Sequence, residues 1–304
     1  MTESAVTIAV VDDAVDTRHS EFAGRVAAEF DASTGERSAI PRGQQPHGTK
    51  VAGLALAGGP EVEGTAPNAR LLAIRVPSLC RKLGDPSEAV AIRWAAENGA
   101  DIICCAWGPQ RADAAAGRIA PQTRDAIEFA ATRGRGGRGC IVVFSAGNDG
   151  GDIALNEYAS HPDVMAVGAC NCHGRHPRYS PVGDELFCVV TSNDPDDPVG
   201  ARSTYRTTAP VGSFLDGDAF YTDDFGFTSA ACAIAAGVCA RILAVDPTLT
   251  GLEVRALVAH SCERIDIVGG SYDERGHSPL YGFGRVSLDR ALLALRQKTA
   301  TSSV

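Results

Sequence analysis

Ser229 follows the small turn Phe225-Gly226-Phe227-Thr228 and opens an Ala-rich run that continues to Leu243. A hydroxyl at a helix start sits among unpaired backbone N–H groups at the positive end of the helix dipole. There it could attack a carbonyl while its own N–H holds the developing oxyanion. The plain reading of the same residue is an N-cap, a position that favours Ser and Thr. Two other residues carry what such a nucleophile needs. His47 stands at a second turn into a small-residue helix, Pro46-His47-Gly48-Thr49, where the positive helix end disfavours imidazolium and favours a neutral base. Asp12 ends the apolar run Val6-Thr7-Ile8-Ala9-Val10-Val11 as a carboxylate at a strand's C-terminal end, where the sites of open α/β sheets collect. Singly, His47 reads as a surface or capping residue and Asp12 as a turn residue.

The elements that would position these residues alternate between strand and helix. Short β-branched or apolar runs at 6–11, 70–76, 101–106, 140–145, 163–169 and 186–190 read as buried strands. Between them lie a helix from the capping box Asp85-Pro86-Ser87-Glu88 to Glu97 and an amphipathic helix from Thr123 to Arg133. A second capping box, Thr250 to Glu253, starts a helix reaching about His260, and a short helix closes the chain. This pattern predicts an α/β fold, a mostly parallel central sheet of about seven strands with helices on both faces. Residues 27–46 read as polar turns and 192–224 as a long surface excursion. One domain is expected over 1–296, with 297–304 as a disordered tail.

With a net charge of −9, the chain argues against a nucleic-acid surface. No stretch reaches the roughly 18 apolar residues of a membrane span, and the N-terminus carries no basic region followed by an apolar run. A cytoplasmic protein is expected. The ten cysteines fall in apolar runs and read as reduced structural residues. Cys170-Asn171-Cys172 with His173 and His176 is the one metal-like cluster, and it lacks a second Cys pair at zinc spacing. No metal or cofactor is expected from the residues.

Taken in order, these stretches resemble the subtilisin-like serine proteases, whose chain order is Asp, His, Ser. Val10-Val11-Asp12-Asp13-Ala14-Val15-Asp16 is similar to the family's aspartate strand end, and His47-Gly48-Thr49-Lys50-Val51-Ala52-Gly53 to its histidine motif. Ser145-Ala146-Gly147-Asn148 resembles the oxyanion segment and Thr228-Ser229-Ala230-Ala231 the serine motif. Weaker likenesses at 99–103, 161–169 and 281–284 extend the resemblance over about residues 6–292. The sequence departs from the family pattern at Lys50, Ala106, Phe227 and Ala233.

The resemblance implies a serine endopeptidase with catalytic Asp12, His47 and Ser229, and an oxyanion hole from Asn148 and the Ser229 N–H. It implies an extended peptide or protein substrate paired along Ala106, Trp107 and Gly108. It also places Asp149, Asn156 and Glu157, with Asp152, around a side-chain pocket that would favour Lys or Arg. Activity is expected to rise with pH near ~6.5–7, as His47 loses its proton. Structural calcium is common in the family, without a distinctive ligand loop here. The chain starts almost at Asp12, so an intracellular or processed member is expected, with restricted processing of a partner or precursor peptide and an unidentified regulatory partner. A catalytically weak, peptide-binding module on the same fold is the alternative, and Phe227 is the feature that favours it.

Overall fold

The computed structural model describes residues 6–76, 84–109, 118–197, 205–210 and 220–301. Its centre is β1 (Thr7–Asp12), six residues all buried. β1 lies between β3 (Arg70–Arg75) and β4 (Ile102–Cys105) and pairs in parallel with both. Outside them come β2 (Val26–Asp31) on one side and β5 (Ile141–Ser145), β6 (Val164–Cys170) and β7 (Cys188–Thr191) on the other. All pairs in this seven-stranded sheet are parallel. From β1 the chain goes to the edge strand β2, returns to β3 beside β1, and then crosses to the other side at β4. That reversal opens a crevice at the C-terminal ends of β1 and β4.

Helices cover both faces, as the alternation predicts. α1 (His47–Leu56) and α4 (Phe227–Val245) pack on one face, backed by α5 (Gly251–Ser261) and α6 (Leu288–Thr301). α2 (Pro86–Glu97) and α3 (Pro121–Arg133) pack on the other. Small side chains let α4 press close: a Cβ on Gly237 would lie 2.9 Å from the Ala55 carbonyl oxygen. By length and composition α4 is apolar enough to cross a membrane, which the count of apolar residues did not anticipate. Here 78% of it is buried inside the fold, the mark of a core helix.

Three expectations change. The stretch read as polar turns begins with an edge strand, β2, whose Phe30 ring stacks on Trp94 at 4.6 Å. An edge strand with one neighbour needs little apolar sequence, so its periodicity was weak. Within the expected excursion, β8 (Thr207–Thr208) and β9 (Tyr221–Thr222) form a buried antiparallel pair. Thr207 and Thr208 hydroxyls donate to the Lys50 and Thr49 carbonyls of α1 at 2.8 and 2.6 Å. Finally, α6 runs on past Gln297 to Thr301, because no Gly or Pro interrupts it; residues 302–304 lie outside the described residues.

Candidate active site

Asp12 arrives at the crevice as the last residue of β1, 2% exposed. His47 is the first residue of α1, whose N-cap is Pro46 and carries no side-chain cap. The cap comes instead from the β1 turn. Asp13 accepts the Gly48 N–H at 2.9 Å and the His47 N–H at 3.3 Å. This docking is close: a Cβ on Gly48 would lie 2.3 Å from the Ala14 carbonyl oxygen and 2.6 Å from Asp12 Cβ. Ser229 lies in the first turn of α4, 8% exposed, as its sequence setting implies.

These three side chains form one hydrogen-bonded line. His47 Nδ1 is 2.8 Å from Asp12 Oδ1, and His47 Nε2 is 3.1 Å from Ser229 Oγ. The Phe225 ring stands edge-on to the imidazole at 5.5 Å. Ser229 Oγ also lies 3.0 Å from the Ala106 carbonyl oxygen, so its single proton has two acceptors to choose between. Burial alone would lower the pKa of His47. The Asp12 carboxylate, its hydrogen bond and the nearby Asp13 outweigh burial and Lys50, raising it to about 9. Burial and the neighbouring Asp12 push Asp13 itself up to about 6, against the pull of His47 and the two helix amides. The sequence placed His47 at a positive helix end and missed the second carboxylate set against that end. The two carboxylates thus point to a midpoint above the expected 6.5–7.

Asn148 is exposed on the crevice beyond β5. Its Oδ1 accepts the Thr228 N–H at 3.1 Å and lies 2.7 Å from the Thr228 hydroxyl, which leaves Nδ2 to face the cleft. Thr228 is thus a positioning residue that the sequence did not single out; its place beside Ser229 was the available signal. Phe227 adopts a left-handed φ of +58°, a conformation that costs a side-chain-bearing residue roughly 1–2 kcal/mol. The Asn193 side chain fixes it by accepting the Phe227 N–H at 2.6 Å. Its ring turns against Tyr179 at 4.7 Å, outside the lining of the cleft.

A cavity of about 460 Å³ joins Asp12, Asp13, His47, Asn148 and Ser229 with Ala106, Trp107 and Gly108. Trp107 meets it with one edge, since its indole N–H donates to the Val11 carbonyl at 2.8 Å and its ring packs on Phe144 and Tyr158. The expected acidic pocket is not assembled there. Asn156 is buried, donating to the Ala146 carbonyl at 3.1 Å and accepting the Tyr158 N–H. Glu157 accepts from Arg124 at 3.1 Å and from the Ile119 N–H at 3.2 Å. Asp152 caps a single helical turn by accepting the Ala154 N–H. Asp149 is exposed next to Asn148, outside the cavity lining. Side chains close in sequence to the oxyanion residue thus serve the loop's own structure.

Among the described residues no group of three His, Cys, Asp or Glu side chains could hold a metal ion, the Cys170 to His176 stretch included. The nine described cysteines are free thiols, eight of them buried.

Residues 3–284 match the family described as Subtilase family (Peptidase_S8). The calcium-dependent protease of Trichormus variabilis is 39% identical over 305 residues, covering 94% of this chain and 46% of that protein. The dibasic-processing endoprotease of Yarrowia lipolytica is 30% identical over 271 residues, covering 86% of this chain and 27% of its own length. The chain thus spans less than half the length of either relative. Among solved structures, the serine protease of Aeromonas sobria in its chaperone complex superposes with a TM-score of 0.76 at 20% identity, covering 96% of this chain and 60% of that one.

Proposed function

This chain belongs to the subtilase family, and on that premise we propose that it is a serine endopeptidase acting through Asp12, His47 and Ser229. The observation that carries the proposal is the unbroken hydrogen-bonded line from Asp12 Oδ1 through the imidazole to Ser229 Oγ. Ser229 Oγ attacks the scissile carbonyl while His47 Nε2 takes its proton and passes it to the leaving amine. Asp12 holds Nδ1–H and stabilises the imidazolium without being protonated. Asn148 Nδ2 and the Ser229 N–H receive the oxyanion. Water, activated by the same imidazole, then hydrolyses the acyl-enzyme.

The substrate backbone adds as an extended strand along Ala106, Trp107 and Gly108. An incoming N–H at the Ala106 carbonyl would occupy the rival acceptor of the Ser229 proton. The hydroxyl then turns to His47. Peptide binding and nucleophile activation are coupled in this way.

Restricted processing of a partner or precursor peptide is the form of activity we favour, supported by the processing role in the Yarrowia relative's name. The peptidase domain takes in 1–296. A cytoplasmic, reducing setting belongs to the same proposal, supported by the free thiols, of which Cys104 and Cys232 lie 3.8 Å apart.

Calcium enters through the name of the Trichormus relative. Calcium takes roughly six to eight oxygen ligands. Two described carboxylates that lie together, Asp194 and Asp197, both already accept from Asn171 Nδ2, at 3.1 and 3.3 Å. They do not make up such a set, and among the described residues no group of His, Cys, Asp or Glu could hold a metal ion.

The test is labelling with a serine-directed fluorophosphonate. Native protein should label, and Ser229→Ala and His47→Ala should not. Label retained by Ser229→Ala would overturn the assignment.

A further inference from the structure

A second cavity, of about 690 Å³, opens at the opposite end of the sheet from Ser229. Phe187, which immediately precedes β7, forms part of its wall. Arg255 of α5 reaches the start of β6, donating to the Pro162 and Val164 carbonyls at 3.0 and 3.2 Å. Its volume suits several side chains of a ligand.

Four guanidinium groups border this cavity, those of Arg255, Arg264, Arg275 and Arg290. Its one carboxylate, Glu263, already accepts from Arg285 at 2.6 Å. Arg275 pairs with Asp273. Arg255, Arg264 and Arg290 make no ion pair among the described residues. Arg255 is half-buried, 5.5 Å over the Phe187 ring, and desolvation depresses its pKa in spite of Asp163. A desolvated cation whose hydrogen bonds go to neutral carbonyls, with no carboxylate at ion-pair distance among the described residues, is only partly compensated, and an arriving carboxylate offsets the remainder.

Between the cations, beside His260 and Glu263, the cavity carries an apolar patch. Phe187 and Phe283 meet edge-on at 5.5 Å, and Ala256 and Ala259 of α5 lie beside them. The helix spacing extends this stripe to Leu252, 73% exposed. The loop after Arg264 also exposes Ile267 and Val268. A cationic, apolar-floored cavity on a chain of net charge −9 is a local reversal of sign, which focuses an acidic partner onto this one place.

We propose that this cavity is an exosite for an acidic peptide segment of a partner protein, with its carboxylates on Arg255, Arg264 and Arg290 and an aromatic or aliphatic anchor on Phe187 and Phe283. The site stands apart from the catalytic cleft and does not depend on turnover there.

The test uses Ser229→Ala protein, a short fluorescent peptide with one Phe flanked by Asp and Glu, and its Asn/Gln counterpart. Fluorescence anisotropy should show saturable binding of the acidic peptide alone, weakening as salt rises. Arg264→Glu with Arg290→Glu, both at exposed positions, should weaken it about tenfold or more. Arg255→Gln should do the same, and if it fails to fold, the exposed pair still decides. Equal binding of both peptides, or no saturable binding of either, overturns the proposal. So does loss of binding when native protein is blocked at Ser229 by fluorophosphonate, which would place the peptide in the catalytic cleft. A dimer in sedimentation that the two exposed substitutions dissolve would assign the face to self-association and overturn it as well.

Discussion

Asp13 and His47 meet through the helix amide, with Asp13 Oδ2 3.3 Å from the His47 nitrogen, so the general base begins on a cap that is itself a carboxylate. Two consecutive acids, Asp12 and Asp13, therefore face one imidazole. Imidazolium persists until pH rises through the His47 value of about 9, compared with 6.5 for a free histidine. A base must be neutral, so kcat/KM should climb with pH through a midpoint well above 6.5. Asp13, at about 6, is ionised throughout that window. Asp13→Asn keeps a cap acceptor but removes the charge, and should move the midpoint down by about half a pH unit or more. A profile from pH 5 to 10 with unchanged midpoint would show that Asp13 acts only as a cap. In stability terms the raised His47 value contributes fully below 6.5 and is lost as pH passes about 9.

Asn148→Ala should lower kcat by about 10²–10³-fold with little change in KM, the size known for loss of the corresponding donor in a subtilisin. Thr228→Val removes the hydroxyl that orients Asn148 while leaving the amide donor. It should lower kcat by roughly tenfold, again without raising KM. Steady-state kinetics on one peptide amide checks both. A Thr228→Val effect confined to KM would make Thr228 a substrate contact instead.

Phe227→Gly exchanges left-handed strain of about 1–2 kcal/mol for added chain entropy and loss of the Tyr179 contact. The net change in stability should stay within about 1 kcal/mol. Phe227→Ile, β-branched at the same φ, should destabilise by about 1–3 kcal/mol. Urea unfolding of the two variants separates conformation from packing, and equal losses would mean that the ring contact dominates.

Glu21 is fully buried and accepts the Gly59, Glu61 and Val62 N–H groups at 2.6, 2.8 and 3.1 Å, and the Tyr221 hydroxyl at 2.9 Å. Burial acts to raise its pKa, and these four donors together hold it below the usual 4.5. Its contribution is present above 4.5 and lost as pH falls through the lower folded value. Glu21→Gln should cost about 1–3 kcal/mol at neutral pH and flatten the acid limb of stability. Thermal melts across pH 3–7 check both, and an unchanged acid limb would remove Glu21 as its source.

What was legible in the sequence was whatever the chain places at the end of an element. Asp12, His47 and Ser229 each sit beside a strand end or helix start, so local pattern predicted where they would stand. Asp13, Thr228 and Glu21 were not legible, because their partners come from segments 34 to 200 positions away. The partners of the expected pocket residues were hidden for the converse reason. Glu157 and Asn156 are near the oxyanion residue in sequence, yet Arg124 and the Ala146 carbonyl lie closer in space. β2 was hidden because an edge strand needs only one neighbour, and Phe30 obtains its apolar contact from Trp94.

The seat of α1 on β1 at Gly48 bears on how this protein tolerates change. A map of every substitution across the chain would rank position 48 with the catalytic residues, although glycine has no functional group to lose. Even a single methyl would press on the Asp12 side chain and the Ala14 carbonyl, and lift the imidazole from its carboxylate. Intolerance there would record a distance that must be kept, and a search for reactive groups based on intolerance alone would mistake the spacer for the machinery.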